Sequence, residues 1–311
     1  FKSENPLGAK LNGQSNTIGT GWFVEASYIR IEGFEIYGVF HTGVPIWASH
    51  VQVVGNNIHD IGRFCMNGAP IDQNGLSAVF ASNVSDITIE KNIIHDTGRF
   101  DETNGCTNHG PLQLDHGIYI DGVDTITVKN NIFYNLHHGW VVQVFDSSNT
   151  LTSTNVKILN NTMSGTSTNG GGHIILAQPG VSNAVIENNI SYQPKNGYMV
   201  QYYLGTMTNI QVRNNITYQG VISASSPPAG ITFSGNLDNT DPLFVDIGSY
   251  NFHLLAGSPA IDAGLTEAAV TTDFDGIARP QGAAYDIGAF EAYSVGICAA
   301  PVHRALFGLR D

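Results

Sequence analysis

A short phrase returns six times along the chain: VVGNNIHD (53–60), TIEKNIIHD (88–96), TVKNNIFYN (127–135), ILNNTMSG (158–165), IENNISYQ (186–193) and VRNNITYQ (212–219). Aligned on one asparagine each, the copies place Asn56, Asn92, Asn131, Asn161, Asn189 and Asn215 in register. The steps between them are 36, 39, 30, 28 and 26 residues. Self-similarity at such a period is the mark of a repeat architecture. A fixed unit recurs while the connections between units lengthen and shorten.

Apolar and β-branched residues alternate just before each asparagine, as in Ile87-Thr88-Ile89 and Ile126-Thr127-Val128. Alternation at period two predicts strands. A second strand is expected upstream in each copy, for example over Val44–Trp47, Ala78–Phe80, Gly117–Ile120, Trp140–Val144, Ile174–Leu176 and Met199–Tyr202. Between Trp22 and Tyr218 no long apolar pattern has helical spacing. Parallel strands stacked in register sit about 4.8 Å apart, so like residues form ladders. A buried asparagine in such a ladder satisfies its neighbours' backbone and a tight turn. The expected fold is all-β: a single right-handed parallel β-helix over residues 1–292, with long loops on one face and a tail or cap over 293–311.

The phrases IRIEGFEIYG (29–38), NNIHDIG (56–62), KNIIHDTG (91–98) and HGIYIDG (116–122) resemble right-handed parallel β-helix proteins of the pectate-lyase-like superfamily. So does the closing pattern DPLFVD (241–246), FHLLAGSPAIDAG (252–264) and TDFDGIARPQGAAYDIGAFE (272–291), which is similar to the ends of secreted bacterial members. The resemblance covers about Pro6 to Glu291. It implies the fold, and an activity drawn from a superfamily of lyases, hydrolases, epimerases, tailspikes and non-catalytic binders. Neither Gly-His-Gly nor Arg-Ile-Lys, found in characterised polygalacturonases and pectate lyases, occurs in the chain.

Composition sets bounds. The 311 residues carry 13 Lys+Arg against 26 Asp+Glu, a net charge of −13. Nucleic-acid binding wants a basic face and is not expected. No apolar run is long enough to span a membrane. The chain opens at Phe1, and residues 1–13 already read like part of a rung. A processed start and a secreted or cell-surface location are the expectation. Of three cysteines, Cys65 and Cys106 each follow a Gly-Arg-Phe in neighbouring long loops. A disulfide between them and a pair of free thiols are both consistent with that pattern.

The longest loops, residues 60–78 and 96–118, locate the chemistry, because solenoid insertions gather on one face. They hold the densest ionisable cluster. Asp60 and Asp96 follow His59 and His95 and are candidate metal ligands, with the alternative that the whole column caps turns. Arg63 and Arg99 suit a substrate carboxylate. Asp115, His116, Tyr119 and Asp121 surround one strand, whose Tyr119 and Asp121 should face outward. Trp47, Gln143, Phe145, Gln201 and Tyr203, with His137 and His138, are candidate sugar contacts, because aromatic faces stack on sugar rings and amides bond hydroxyls. By alternation, Trp47, Val79, Tyr119, Gln143, Ile175 and Gln201 form one outward file, with Ala81, Asp121, Phe145, Ala177 and Tyr203 in the next.

Three readings follow. A lyase acting on a uronic-acid polysaccharide needs a base for the C5 proton and a cation, Ca²⁺ or arginine, for the carboxylate. His116, Tyr119, Arg63 and Arg99 supply such groups, so this reading leads. A glycoside hydrolase needs two carboxylates, from Asp115, Asp121, Asp60 or Asp96, about 5–10 Å apart. A non-catalytic carbohydrate-binding or adhesive module needs the aromatic groove alone. The formal sequons at Asn83 and Asn189 are discounted, that at Asn189 as a by-product of the repeat, and the Asp273-Phe274-Asp275-Gly276 motif reads as a structural part of the closing pattern.

Overall fold

Each turn of the chain makes three strands, and their stacking follows from the repeat. The computed structural model describes residues 1–14, 17–62, 76–98, 114–146, 148, 150–224 and 226–292. The strands before the asparagines, Ile29–Glu32 through Ile231–Ser234, form an eight-stranded parallel sheet, called sheet I. Directly after each asparagine comes a short strand that the sequence reading did not separate. These strands, Ala9–Asn12 through Ile216–Tyr218, make the eight-stranded sheet II. The upstream strands, Thr42–Ile46 through Val221–Ser223, make the seven-stranded sheet III. The result is a right-handed parallel β-helix. Among the described residues there is no α-helix.

Register explains the core. In sheet I, Ile87 pairs with Ile126 and Ile126 with Val156. In sheet III, Val79 pairs with Ile118 and Ile118 with Val142. All of these point inward and are fully buried. Apolar ladders thus fill the lumen, where each buried Ile or Val adds about 1.5–3 kcal/mol.

The repeated asparagines form the expected ladder at the corner between sheets I and II. Asn131 Nδ2 donates to Asn161 Oδ1 at 3.0 Å and to the Ile89 carbonyl at 2.9 Å. Its own Oδ1 accepts from Asn92 Nδ2 at 3.0 Å and from the Asn92 backbone N–H at 2.9 Å. Asn92, Asn161, Asn189 and Asn215 repeat this pattern, and at the first rung Asn56 Oδ1 accepts the Phe34 N–H at 2.9 Å instead. Asn236 extends it as a seventh member, accepting from Asn215 Nδ2 at 2.9 Å. The sequence hides Asn236 because its step is short and no strand phrase follows it.

Four rungs place another asparagine just before the ladder residue, and this doubling has a structural cause. Asn130, Asn160, Asn188 and Asn214 hold left-handed backbone, φ 49–55°, which asparagine tolerates well. Their side chains turn outward and bind carbonyls of the C-terminal segment: Thr272 at 2.8 Å, Asp286 at 3.1 Å, Leu265 at 2.8 Å and Ala263 at 3.0 Å. The segment is strapped along this corner. The preceding rungs carry Gly55 and Lys91 at the same position, and Lys91 Nζ reaches only Thr272 Oγ1 at 2.8 Å. The closing pattern is therefore structural. Within it, buried Arg279 pairs with buried Glu291 at 2.7 Å. Asp273 accepts the Ile277 and Glu291 backbone N–H groups at 2.7 and 2.9 Å.

Candidate functional site

The outer face of sheet III carries the aromatic groups, one residue out of the expected register. Pairing puts Pro45, Phe80, Tyr119, Gln143, Ile175 and Gln201 in one outward file. Val79 is not in this file, because it packs inside against Ile118. Asp121 pairs with Ser82 rather than Ala81, and Ala81 is buried in the lumen. Trp47 precedes the Ser82 position in the second outward file, beyond the Ile46–Ala81 pair. Strand Ser77–Ser82 holds small apolar residues on both faces, so alternation alone left its parity open. Phe80 is the residue this error concealed.

The rings form a connected surface. Trp47, half exposed at 50%, meets Phe80 edge-on with centroids 5.6 Å apart. Phe80 lies 5.2 Å from Tyr119, and Tyr119 lies 6.4 Å from Phe145. His116 contacts Tyr119 edge-on at 5.5 Å and stacks on Trp140 at 5.9 Å. Trp140 Nε1 then donates to Gln201 Oε1 at 2.7 Å, an oxygen that also accepts the Gly172 N–H at 2.6 Å. Gly171 makes room for that indole, since a Cβ there would come within 1.9 Å of Trp140 Nε1. Tyr203, 56% exposed, ends the adjoining file. Aromatic faces with amides at their margin are the lining that sugar rings take.

His116 is only 1% exposed. Its Nδ1 accepts the Trp140 backbone N–H at 3.2 Å, so a neutral ring carries its proton on Nε2. Gly139 fixes this join: its φ is +67°, and a Cβ would meet the Asp115 carbonyl at 1.6 Å. Burial places the imidazole behind Tyr119 rather than in the groove. The half-buried Tyr119 is the titratable group of this strand that reaches the surface.

The carboxylates do not converge. Asp115 and Asp121 are both buried, and six extended-strand steps separate them, about 20 Å. Asp121 accepts from Ser82 Oγ at 3.1 Å. Asp60 and Asp96 each bind the histidine beside them, His59 Nδ1 and His95 Nδ1, at 2.7 Å. Asp96 also accepts from Asn135. Those histidines belong to a ring column on sheet II running Tyr37, His59, His95, Tyr134 and Tyr250, with neighbouring centroids 4.0–5.1 Å apart. Burial lowers the pKa of His95 below the ordinary histidine value. A calcium ion wants six to eight oxygens. Among the described residues no group of three or more His, Cys, Asp or Glu side chains is placed to hold a metal.

His137 and His138 lie at the end of the sheet II strand Ile132–Gly139, where they pack on Gly98. Asn189 is a fully buried ladder residue, so its sequon is a product of the repeat. Arg63, Arg99, Cys65, Cys106, the middles of both long loops and the 293–311 tail lie outside the described residues.

A family model described as the right handed beta helix region matches residues 10–178, more than half of the chain. The chain belongs to this right-handed β-helix family. No curated protein matches it. Among solved structures it is similar to an alginate lyase from Paenibacillus sp. str. FPU-7, at TM-score 0.52 and 20% identity, over 76% of this chain and 78% of that one. It is also similar to the pectate lyase Pel9A, at TM-score 0.49 and 17% identity, over 94% and 76% of the two chains. XylC in complex with xylose gives TM-score 0.42 and 11% identity, over 89% and 51%. At these identities the likeness is one of fold. No helix among the described residues is long and apolar enough to cross a membrane.

Proposed function

We propose that the chain is a secreted polysaccharide lyase that acts on a uronic-acid-containing polymer along the outer face of sheet III. The observation that carries this reading is the continuous ring surface Trp47–Phe80–Tyr119, backed by His116 and Trp140 and edged by Gln201. The alginate lyase of the same fold is, by its name, active on an acidic polysaccharide, and the proposal extends that substrate class to this chain.

In β-elimination a base takes the C5 proton, the electron pair moves toward C4, and the C4–O bond breaks. The glycosidic oxygen leaves with a proton. Tyr119 is assigned the proton transfer, because its phenol is the titratable group of the central strand at the surface. His116 is a positioning residue, held by the Trp140 N–H and packed against the Tyr119 ring. Arg63 and Arg99 are assigned to the substrate carboxylate, whose neutralisation makes the C5 proton acidic enough to remove. Gln201, Phe145 and Tyr203 contact flanking sugars, and Gln143, which is buried, supports them from behind. The hydrolase alternative loses its best carboxylate pair, since about 20 Å separates Asp115 from Asp121 where 5–10 Å is needed.

The test is a panel of polygalacturonate, alginate and neutral xylan, with and without Ca²⁺, followed by ultraviolet absorbance of unsaturated uronates and by reducing ends. The proposal expects absorbance to rise with an acidic polymer. Reducing ends without absorbance would replace it with a hydrolase. Binding without either signal would make the chain a carbohydrate-binding module.

A further inference from the structure

The corner where the chain passes from sheet III into sheet I holds a second candidate surface. At the corner entering sheet I, one residue per rung adopts left-handed backbone: Tyr28, His50, Asp86, Thr125, Asn155, Asn183 and Asn209, with φ between 52° and 62°. Three later rungs use asparagine, the residue that tolerates this conformation best after glycine. The first two rungs use rings, and for the bulky Tyr28 positive φ is a genuine outlier. Strain kept where the repeat has a relaxed solution available points to a use for the side chain.

These side chains are organised rather than scattered. Tyr28 is 81% exposed. Its ring stacks on His50 with centroids 4.6 Å apart and planes 6° apart. His50 Nδ1 is in turn 2.7 Å from Asp86 Oδ2. Beside this column the outward residues of sheet I run in register as Arg30, Gln52 and Thr88. Arg30 Nη1 donates to Gln52 Oε1 at 2.6 Å, and its Nε donates to Glu32 at 2.6 Å. Together the two columns line a depression of about 290 Å³. Three rungs of it extend about 10 Å along the axis, the length of roughly two sugar units. An open aromatic face beside guanidinium, amide, hydroxyl and carboxylate groups is sugar-binding chemistry.

We infer that Tyr28, His50 and Asp86, with Arg30, Gln52 and Thr88, form a second glycan-contact site, around the corner from the sheet III groove, that holds another part of the same polymer. One ring face of Tyr28 lies on His50, and the other takes a pyranose. Arg30 and Gln52 bond the hydroxyls or carboxylate of that sugar. Two sites on one rigid solenoid raise retention on a long chain without altering turnover of a short one. The inference rests on the reading of this protein as polysaccharide-binding.

The test is the double variant Tyr28→Asn/His50→Asn, which removes both rings and supplies the residue that the later rungs use. Affinity for each polymer of the panel is measured by affinity electrophoresis, turnover is measured on a short oligosaccharide, and unfolding is followed in urea. The expected result is about tenfold weaker polymer binding, unchanged oligosaccharide turnover and an unfolding midpoint shifted up by relief of strain. Unchanged polymer affinity with a folded variant would overturn the second site and leave the groove reading intact. A lowered midpoint would assign the rings a structural role and overturn it too. If the wild-type protein binds no polymer of the panel, the groove reading fails and this inference fails with it.

Discussion

Replacing Asn131 by alanine removes the centre of the asparagine ladder. Four hydrogen bonds go: two donated by Nδ2, to the Ile89 carbonyl and Asn161 Oδ1, and two accepted by Oδ1, from the Asn92 N–H and Nδ2. Asn92, Asn131 and Asn161 are all fully buried, so water does not replace the lost partners. A buried polar group left unsatisfied costs about 1–3 kcal/mol. The stranded groups belong to two neighbouring rungs that partly retain other bonds, so the expected loss is about 3–6 kcal/mol. In a solenoid each rung touches only its neighbours, so a central break also uncouples the two halves. Urea unfolding followed by circular dichroism should show a lower midpoint and a shallower transition. Asn236→Ala, at the half-buried end of the same ladder, should cost about 1 kcal/mol. Equal losses for the two variants, or a loss under about 1 kcal/mol at Asn131, would refute the ladder as a source of stability.

Other expectations follow from the same structure. His173 is buried in the lumen with Nδ1 on Ser191 Oγ at 2.7 Å, and burial pushes its pKa down to about 3; the unfolded chain takes up that proton near 6.5 and the folded one does not. Its contribution to stability is therefore present above pH 6.5 and lost as pH falls toward 3, by about 1.4 kcal/mol per pH unit. Burial pushes Asp286 up to about 6, which works the other way: the folded state gains as pH falls from 6 to the ordinary aspartate range. Wild-type stability should be nearly flat between these limits and drop below pH 4, whereas His173→Gln should rise over the flat stretch; urea midpoints across pH decide it, and parallel curves would contradict it. Gly171→Ala should push the Trp140 indole off Gln201, change tryptophan fluorescence and weaken polymer binding, with a stability loss near 1 kcal/mol. Tyr119→Phe should abolish elimination with binding retained, while His116→Gln should lower kcat and leave the pH profile in place.

Much of the fold was legible because the ladder demands one residue type. Only asparagine both donates and accepts up the axis at that corner, so its spacing survives changes in every loop. The doubled asparagines were visible, but their cause was not, since it lies in a strap more than a hundred residues away from Asn130. Several strands of sheet II escaped notice because three residues, as in Asn57–His59, Ile93–His95, Ile190–Tyr192 and Ile216–Tyr218, are too few to show a period. The site was legible in kind but not in register. Trp47, Tyr119, Gln143, Phe145, Gln201 and Tyr203 do share a face, yet Phe80 was concealed by a strand with small apolar residues on both sides. His116, an acid/base candidate in the sequence, is buried; a histidine leading an inward-facing Ile-x-Ile run has the parity of the lumen. Asp115 and Asp121 looked like a pair in one dimension and are about 20 Å apart along one strand.

The central claim is that sheet III's outer face holds the polymer, and the most direct measurement is a structure of the Tyr119→Phe protein with an acidic oligosaccharide drawn from whichever polymer it binds. The account predicts sugar rings lying over Phe80 and residue 119, with Trp47 and Tyr203 toward the ends and a C5 hydrogen directed at the missing phenol oxygen. Sugar found on the sheet II ring column, or on sheet I with sheet III bare, would contradict it.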